Sequence, residues 1–323
     1  VKSEKRKSKT SAGRGGADES LGAYRRRVAD ARAAAPPGGP TLGLALGGGG
    51  ARGFAHISML EACDELGVRP KIIAGTSIGS IMGAVYASGM TGAEMREYCA
   101  ELFCGRAELV KRLLGRAGGS FWDLWSPFNP SQVNGEKLFE ALLPESLPKD
   151  FAVLRTPLKV VATDFYTQSA CVIDEGPLMP AIAASSALPA LVKPVQMGHR
   201  VLIDGGFVNP LPFDVIRGEA DVIAAVDLSG APGDRNGKPP SMMDVIIGSA
   251  QITLFSIVRE KLKSGAPDVL SRPRVNHYRV LDFYKMNDMF KDVEPAKEEF
   301  KRLLAGKLEA AAKTGAGQAE RDS

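Results

Sequence analysis

Ser77 is the side chain in this sequence whose setting best suits a nucleophile. It occupies the centre of Gly75-Thr76-Ser77-Ile78-Gly79, within KIIAGTSIGSIMGAV at residues 71–85, between a β-branched run and a small-residue helical pattern. At a tight strand-to-helix turn such a pentapeptide projects the serine Oγ from the backbone, because Gly75 and Gly79 leave room where larger side chains would crowd the bend. The helix that follows points its positive end at developing negative charge. An ordinary Gly-rich turn would use the same five residues, so the reading depends on what accompanies them.

Two further clusters do. TLGLAL at residues 41–46 reads as a strand, and Gly47-Gly48-Gly49-Gly50-Ala51-Arg52-Gly53 then precedes a helical pattern that runs through Leu66. Adjacent glycines let backbone N–H groups converge without Cβ crowding, so Gly48, Gly49 and Gly50 could hold an anion or the oxyanion of a tetrahedral intermediate. Arg52 has three readings: it fixes the loop, draws in an anionic head group, or is exposed and solubilising. A nucleotide-binding turn fits less well, since no Gly-Lys-Ser/Thr ending follows and Glu61, Asp64 and Glu65 fall inside the helix. The third cluster is Ile203-Asp204-Gly205-Gly206, followed by FVNPLP. An Asp-Gly pair alone commonly marks a hairpin turn. Beside a nucleophile and an oxyanion loop, Asp204 supplies the missing base.

In this set and order the sequence resembles the patatin-like phospholipases, a family of serine acyl hydrolases. The likeness rests on Gly48-Gly49-Gly50-Ala51-Arg52-Gly53, Gly75-Thr76-Ser77-Ile78-Gly79 and Asp204-Gly205-Gly206, with AIAASSALPA at 181–190 and Asn209-Pro210-Leu211-Pro212 beside them. It covers residues 41–229. The resemblance implies a three-layer α/β/α fold and a Ser77-Asp204 dyad that hydrolyses acyl esters of phospholipids, lysophospholipids or related lipids. It also implies an oxyanion loop of Gly48, Gly49, Gly50, Arg52 and Gly53. Asp204 would accept the Ser77 proton during attack on the ester carbonyl and act again when water resolves the acyl-enzyme. An acyltransferase working through the same serine, and a lipid-binding or scaffold protein without turnover, are the alternatives. The chemistry requires neither a metal nor an organic cofactor.

A triad would need a histidine. His56 follows the Gly loop within a helix, His199 sits in the hairpin sequence MGHR ahead of the Asp204 strand, and His277 alone fits the order Ser, Asp, His. Its NHYRV surroundings carry no active-site signal.

Positioning these groups requires a sheet. Runs at 158–163, 170–173 and 221–228 read as further strands and 181–190 as an Ala/Ser-rich helix, which predicts a mostly parallel sheet covered by helices. Asp227, near the end of the last strand, reads as structural. Residues 91–150 form a helical, aromatic-rich insertion in which Phe121, Trp122, Leu124, Trp125 and Phe128 either cap the cleft or pack on the core. MMDVIIGSAQITLFSIVREKL at 242–262 offers a second cleft wall or a face for lipid or another subunit, and 295–308 reads as an amphipathic helix.

The 323 residues, 44% hydrophobic, suffice for one large α/β core. Residues 1–40 hold ten Lys/Arg against four Asp/Glu, leaving 31 against 33 in the rest of the chain, so the net +4 belongs to the tail. The expected layout is a basic tail at 1–40, an acyl hydrolase domain at 41–310 and a polar tail at 311–323. The basic tail suits contact with an anionic membrane surface better than nucleic acid. No run of about 20 apolar residues marks a transmembrane helix, and the expected location is the cytoplasm or, peripherally, a membrane surface. Cys63, Cys99, Cys104 and Cys171 form no CxxC pair and read as reduced residues.

Overall fold

The computed structural model describes residues 39–103, 125–126, 129–230 and 239–319. Its centre is a sheet of eight strands: β1 (Leu42–Leu46), β2 (Ile72–Thr76), β5 (Leu158–Asp164), β6 (Ser169–Ile173), β7 (Val195–Met197), β8 (Arg200–Asp204), β9 (Val222–Val226) and β10 (Val269–Ser271), with β3 (Trp125–Ser126) and β4 (Asn129–Val133) forming a separate pair. The path is β10-β9-β1-β2-β5-β8-β7, with β6 also paired to β5. β10, β9, β1, β2 and β5 are mutually parallel, whereas β6, β7 and β8 run antiparallel to their partners. The expected mostly parallel sheet therefore has one antiparallel flank. Tight turns cause this: β7 reaches β8 through Gly198 at φ 60°, and hairpins join only antiparallel strands.

The layers follow from burial. β1, β2 and β9 are buried at every position, as strands covered on both faces must be. Leu42, Leu44, Leu46, Val222, Ala224 and Val226 belong to one core cluster, while Ala45, Ile223 and Ala225 belong to a second on the opposite face. The larger cluster takes in α1 (Phe54–Glu65), α2 (Ile78–Ala87), α3 (Gly92–Phe103), α4 (Gly135–Leu142), α5 (Leu178–Ser185) and residues of α7 (Met286–Ala319). The smaller holds Leu211, Phe213, Ile216 and Val258 of α6 (Met242–Lys263). This is the three-layer α/β/α arrangement, with one layer thick and one thin.

The insertion contributes α3 and α4. Phe121, Trp122, Leu124 and Phe128 lie outside the described residues, as do residues 1–38. α6 starts at a capping box, where the Ser241 hydroxyl accepts from Asp244 N and the Asp244 carboxylate accepts from Ser241 N. α7 begins nine residues ahead of the amphipathic segment expected at 295 and continues through Ala319, into the stretch read as a polar tail from 311. Ala310, Ala311 and Ala312 explain the continuation, alanine being the strongest helix former.

Candidate active site

β5 decides which residues meet. β6 occupies one edge of β5 along residues 160–164, so β2 and β8 share the other edge. β2 runs parallel to β5 and ends with Thr76 opposite Val161. β8 runs antiparallel and ends with Asp204 opposite Ala162. Two strands thus arrive from opposite directions and stop at adjacent positions of a third. Ser77 and Asp204, 127 residues apart in sequence, come together there: Ser77 Oγ donates to Asp204 Oδ2 at 2.6 Å.

Ser77 sits at the expected turn between β2 and α2, with φ 54° and ψ −126°. A side chain in that region is strained, and the strain turns Oγ out of the strand direction toward the cleft. Gly79 lets the first turn of α2 lie against β1, where an added Cβ would stand 2.1 Å from Leu46 O. Asp204 is held on both oxygens, since Oδ1 accepts from Gly206 N at 2.8 Å while Oδ2 receives the Ser77 hydroxyl. Thr163 Oγ1 donates to Asp204 O at 2.8 Å. Burial raises the Asp204 carboxyl to about 6, against the lowering pull of the hydrogen bonds from Ser77 and Gly206. Gly205 lies where a Cβ would meet Val161 O at 2.0 Å, so the turn after Asp204 presses directly on β5.

The Gly loop lies over the same corner, and a Cβ built on Gly48 would be 3.5 Å from Ser77 Cβ. Its amides are not equivalent. Gly47 N donates to Val226 O, Gly48 N to Pro210 O at 3.0 Å and Ala51 N to Val280 O at 2.7 Å. The Gly48 amide, expected to be a candidate donor, is thereby committed to the fold. Gly49 and Gly50 are partly exposed, line the cleft and direct no amide to an acceptor among the described residues. Arg52 is buried, not solubilising: Nε donates to Tyr278 O at 2.9 Å and NH2 to Asn276 O at 3.3 Å. With its amide oriented to satisfy both partners, Gln251 of α6 accepts from the same guanidinium at 3.0 and 3.2 Å. Of the three readings, loop fixation is the one the contacts fit. Gly53 allows the loop to close on Ile78, whose side chain would stand 2.1 Å from a Cβ there.

The histidines lie elsewhere. His56 is fully buried and its Nε2 donates to Gly47 O at 2.8 Å, bracing the Gly loop from beneath, and burial lowers its titration to about 4, so it is neutral. His199 is exposed in the β7–β8 turn. His277 is also exposed, 3.0 Å from Asp292 Oδ2 and outside the cleft lining. His277→Ala is expected to leave kcat within about twofold of wild type in any Ser77-dependent assay. A 10²-fold loss in a folded variant would instead require a third catalytic member. Asp227 is structural despite its place near a strand end, accepting from Ser229 N and Arg272 Nε at 2.9 Å each. Cys63, Cys99 and Cys171 are free and buried, while Cys104 lies outside the described residues.

Ser77 and Asp204 open on a cleft of about 670 Å³. Its walls are mainly apolar, with Met82 and Val85 from α2, Met95 and Leu102 from α3, Phe139 from α4 and Leu254 from α6. Both helices of the insertion thus face the cleft. α6 is the second wall anticipated for residues 242–262. Its opposite face presents Met242, Val245, Ile252 and Phe255 to the exterior. Among the described residues no helix is long and apolar enough to cross a membrane.

A family model described as patatin-like phospholipase matches residues 44–217, the span that holds the Gly loop, Ser77 and Asp204. An uncharacterized NTE family protein of Mycobacterium tuberculosis is 35% identical over 193 residues, 59% of this chain and 50% of the relative. Patatin-like phospholipase domain-containing protein 6 of Homo sapiens is 29% identical over 281 residues, 78% of this chain and 20% of that protein. The chain therefore spans half or less of the length of these curated relatives. Among solved structures, VipD from Legionella pneumophila aligns with a TM-score of 0.42 at 14% identity, over 82% of this chain and 67% of the other. Since the family model covers more than half of the chain and every motif of the corner lies within it, this chain belongs to the patatin-like phospholipase family.

Proposed function

We propose that the protein hydrolyses carboxylic esters of acyl lipids, phospholipids or lysophospholipids among them, through a Ser77-Asp204 dyad. One observation carries this reading: a 2.6 Å hydrogen bond from Ser77 Oγ to a buried carboxylate at the base of an apolar cleft. Ser77 Oγ attacks the ester carbonyl as its proton passes to Asp204 Oδ2. The ester C–O bond then breaks, the leaving alcohol takes that proton, and the acyl group remains on Ser77. Water, deprotonated by Asp204, attacks the acyl-enzyme and releases the fatty acid, and the proton returns to Ser77 Oγ. Gly49 N and Gly50 N are the amides assigned to the oxyanion, each such donor being worth about 2.7–4 kcal/mol in the transition state. The apolar walls suit an acyl chain, and the volume falls in the range of about 300–1,000 Å³ usual for ligand sites. The exposed apolar face of α6, on the side of that helix away from the cleft, supports peripheral contact with a lipid surface. The hydrolase unit is assigned to residues 41–310.

The test is fatty acid release from short-chain esters, lysophosphatidylcholine and phosphatidylcholine, with and without an acceptor alcohol, for wild type and Ser77→Ala. Free fatty acid that depends on Ser77 is expected. An acceptor-linked acyl product in excess would make the protein an acyltransferase. Vesicle binding without Ser77-dependent cleavage would make it a lipid-binding protein. Because the base must be ionised, kcat/KM is expected to rise tenfold per pH unit below an acidic limb near 6, the value burial gives Asp204, and to level above it. A limb near 4 would exclude Asp204 as that base.

A further inference from the structure

The two residues of the dyad stand on different strands, yet one short turn touches both. α5 ends at Ser185, whose hydroxyl accepts the Ser77 N–H at 2.8 Å and donates to Val161 O at 2.6 Å. Two residues on, Ala187 O accepts the Asp204 N–H at 3.1 Å. Ser185 and Ala187 are both buried. Val161 is the β5 residue opposite Thr76, and its neighbour Ala162 is opposite Asp204. The turn therefore grips the dyad from one side while β5 sets its register from the other.

A hydroxyl suits this position. Ser77 lies one residue past the end of β2 and ahead of the first bonded turn of α2, and its N–H goes to neither but to the Ser185 hydroxyl. A buried N–H there must find an acceptor, and the facing Val161 carbonyl needs a donor. Only a group that accepts and donates at once satisfies both, and in this space a serine Oγ does so. We propose that Ser185 is a positioning residue for the reaction: its hydroxyl holds the Ser77 backbone in the strained turn and so aims Ser77 Oγ at Asp204, with Ala187 O fixing the other partner. Ser185 does not touch the substrate. This proposal rests on the reading of Ser77 as nucleophile.

Ser185→Ala is to be compared with Ser77→Ala and with Ser88→Ala. Ser88 is a buried serine at the far end of α2, donating to Val85 O, and removing its hydroxyl costs stability away from the reacting atoms. The readouts are melting temperature, kcat and KM on a soluble short-chain ester, the pH profile, the rate of covalent labelling by a fluorophosphonate, and hydrogen exchange at the Ser77 amide. Ser185→Ala is expected to lower kcat and the labelling rate by about 10²-fold, the scale of a 1 Å misplacement. KM should change by less than about threefold. The acidic limb should move up, because the Ser77 hydrogen bond that lowers the Asp204 carboxyl is loosened, and Ser77 amide exchange should speed up by at least tenfold. Ser88→Ala should lose melting temperature with kcat retained, and Ser185→Thr, which keeps the hydroxyl, should recover part of the lost rate.

Wild-type kcat and an unmoved limb in Ser185→Ala, with only the melting temperature reduced, would overturn the proposal. So would an unchanged exchange rate at the Ser77 amide. Labelling and turnover that survive in Ser77→Ala would strike instead at the nucleophile assignment. Amide exchange, which needs no chemistry, would still decide whether Ser185 holds that backbone.

Discussion

Asp204→Asn is expected to lower kcat at pH 8 by about 10³-fold or more while leaving the protein as stable as wild type, or more so. The catalytic loss follows from the role: an amide cannot take the Ser77 proton, and a positioned general base contributes about 10²–10⁴-fold. The fold should tolerate the change because an Asn at 204 keeps both hydrogen bonds. Its oxygen can accept from Gly206 N as Asp204 Oδ1 does, and its amide can donate to Ser77 Oγ. Charge supplies the gain. Asp204 is 4% exposed, and burial raises its carboxyl from 3.8 to about 6, so the folded chain holds a proton between those values that the unfolded chain has released. This group's contribution to stability is therefore fully present below 3.8 and lost as pH rises through about 6, after which the wild type carries a buried charge. The rise corresponds to about 3 kcal/mol at most. Thermal melts at pH 5 and pH 8 check it: the difference in melting temperature between variant and wild type should be larger at pH 8. A variant less stable at pH 8 than at pH 5, relative to wild type, would mean the charge is compensated.

Gly79→Ala should act in the opposite manner, removing stability and activity together. The added methyl would stand 2.1 Å from Leu46 O and 2.8 Å from Gly47 O. Neither carbonyl has room to give way, since Leu46 is paired on both sides, with Gly75 and Val226, and Gly47 N is bonded to Val226 O. α2 must instead retreat by roughly 1 Å, and Ser77, the residue ahead of its first turn, moves with it. Displacement on that scale costs about 10²-fold in rate, and overpacking costs about 1–3 kcal/mol of stability or more. Circular dichroism melts and turnover per folded molecule measure the two losses separately. Wild-type turnover in folded Gly79→Ala would show that the helix start is not what aims Ser77.

Much of this corner was legible before any fold was drawn, because its chemistry is written in contiguous residues. Gly75, Ser77 and Gly79 form a turn by their own steric demands, and Asp204 precedes two glycines, of which Gly205 lies tight against Val161 O and Gly206 against Leu254 of α6. What could not be read arises between distant segments. The Gly48 amide goes to Pro210 O, and nothing near Gly48 announces that acceptor. Arg52 left three readings because its acceptors, Asn276 O and Tyr278 O, are backbone atoms more than 220 residues away, and carbonyls carry no signature in a side-chain alphabet. Ser185 lies within the AIAASSALPA run singled out beside the motifs, but which of its two serines faces Ser77 depends on where α5 ends. The hairpin at MGHR already announced one antiparallel pair, β7 with β8, but the antiparallel pairing of β8 with β5 depends on how the chain returns through α5. Phe121, Trp122 and Phe128, the most visible aromatic residues of the insertion, fall outside the described residues.

The buried guanidinium of Arg52 also bears on how large the working unit is. The recognisable signature stops at residue 217, yet the glycine loop it contains is tied down by Asn276 and Tyr278, and α1, which follows that loop, is fastened to α7 through Lys297 Nζ, 2.6 Å from Glu65 Oε1 and 3.4 Å from Glu61 Oε2. A fragment cut where the signature ends would remove the Asn276 and Tyr278 carbonyls that hold the buried Arg52 guanidinium, and Lys297, which shares Glu61 with Arg96 and bonds Glu65. The last hundred residues are thus the keystone of the corner that holds Ser77 and Asp204 although they carry none of its motifs, and variation that severs them is expected to loosen that corner without altering a single signature residue.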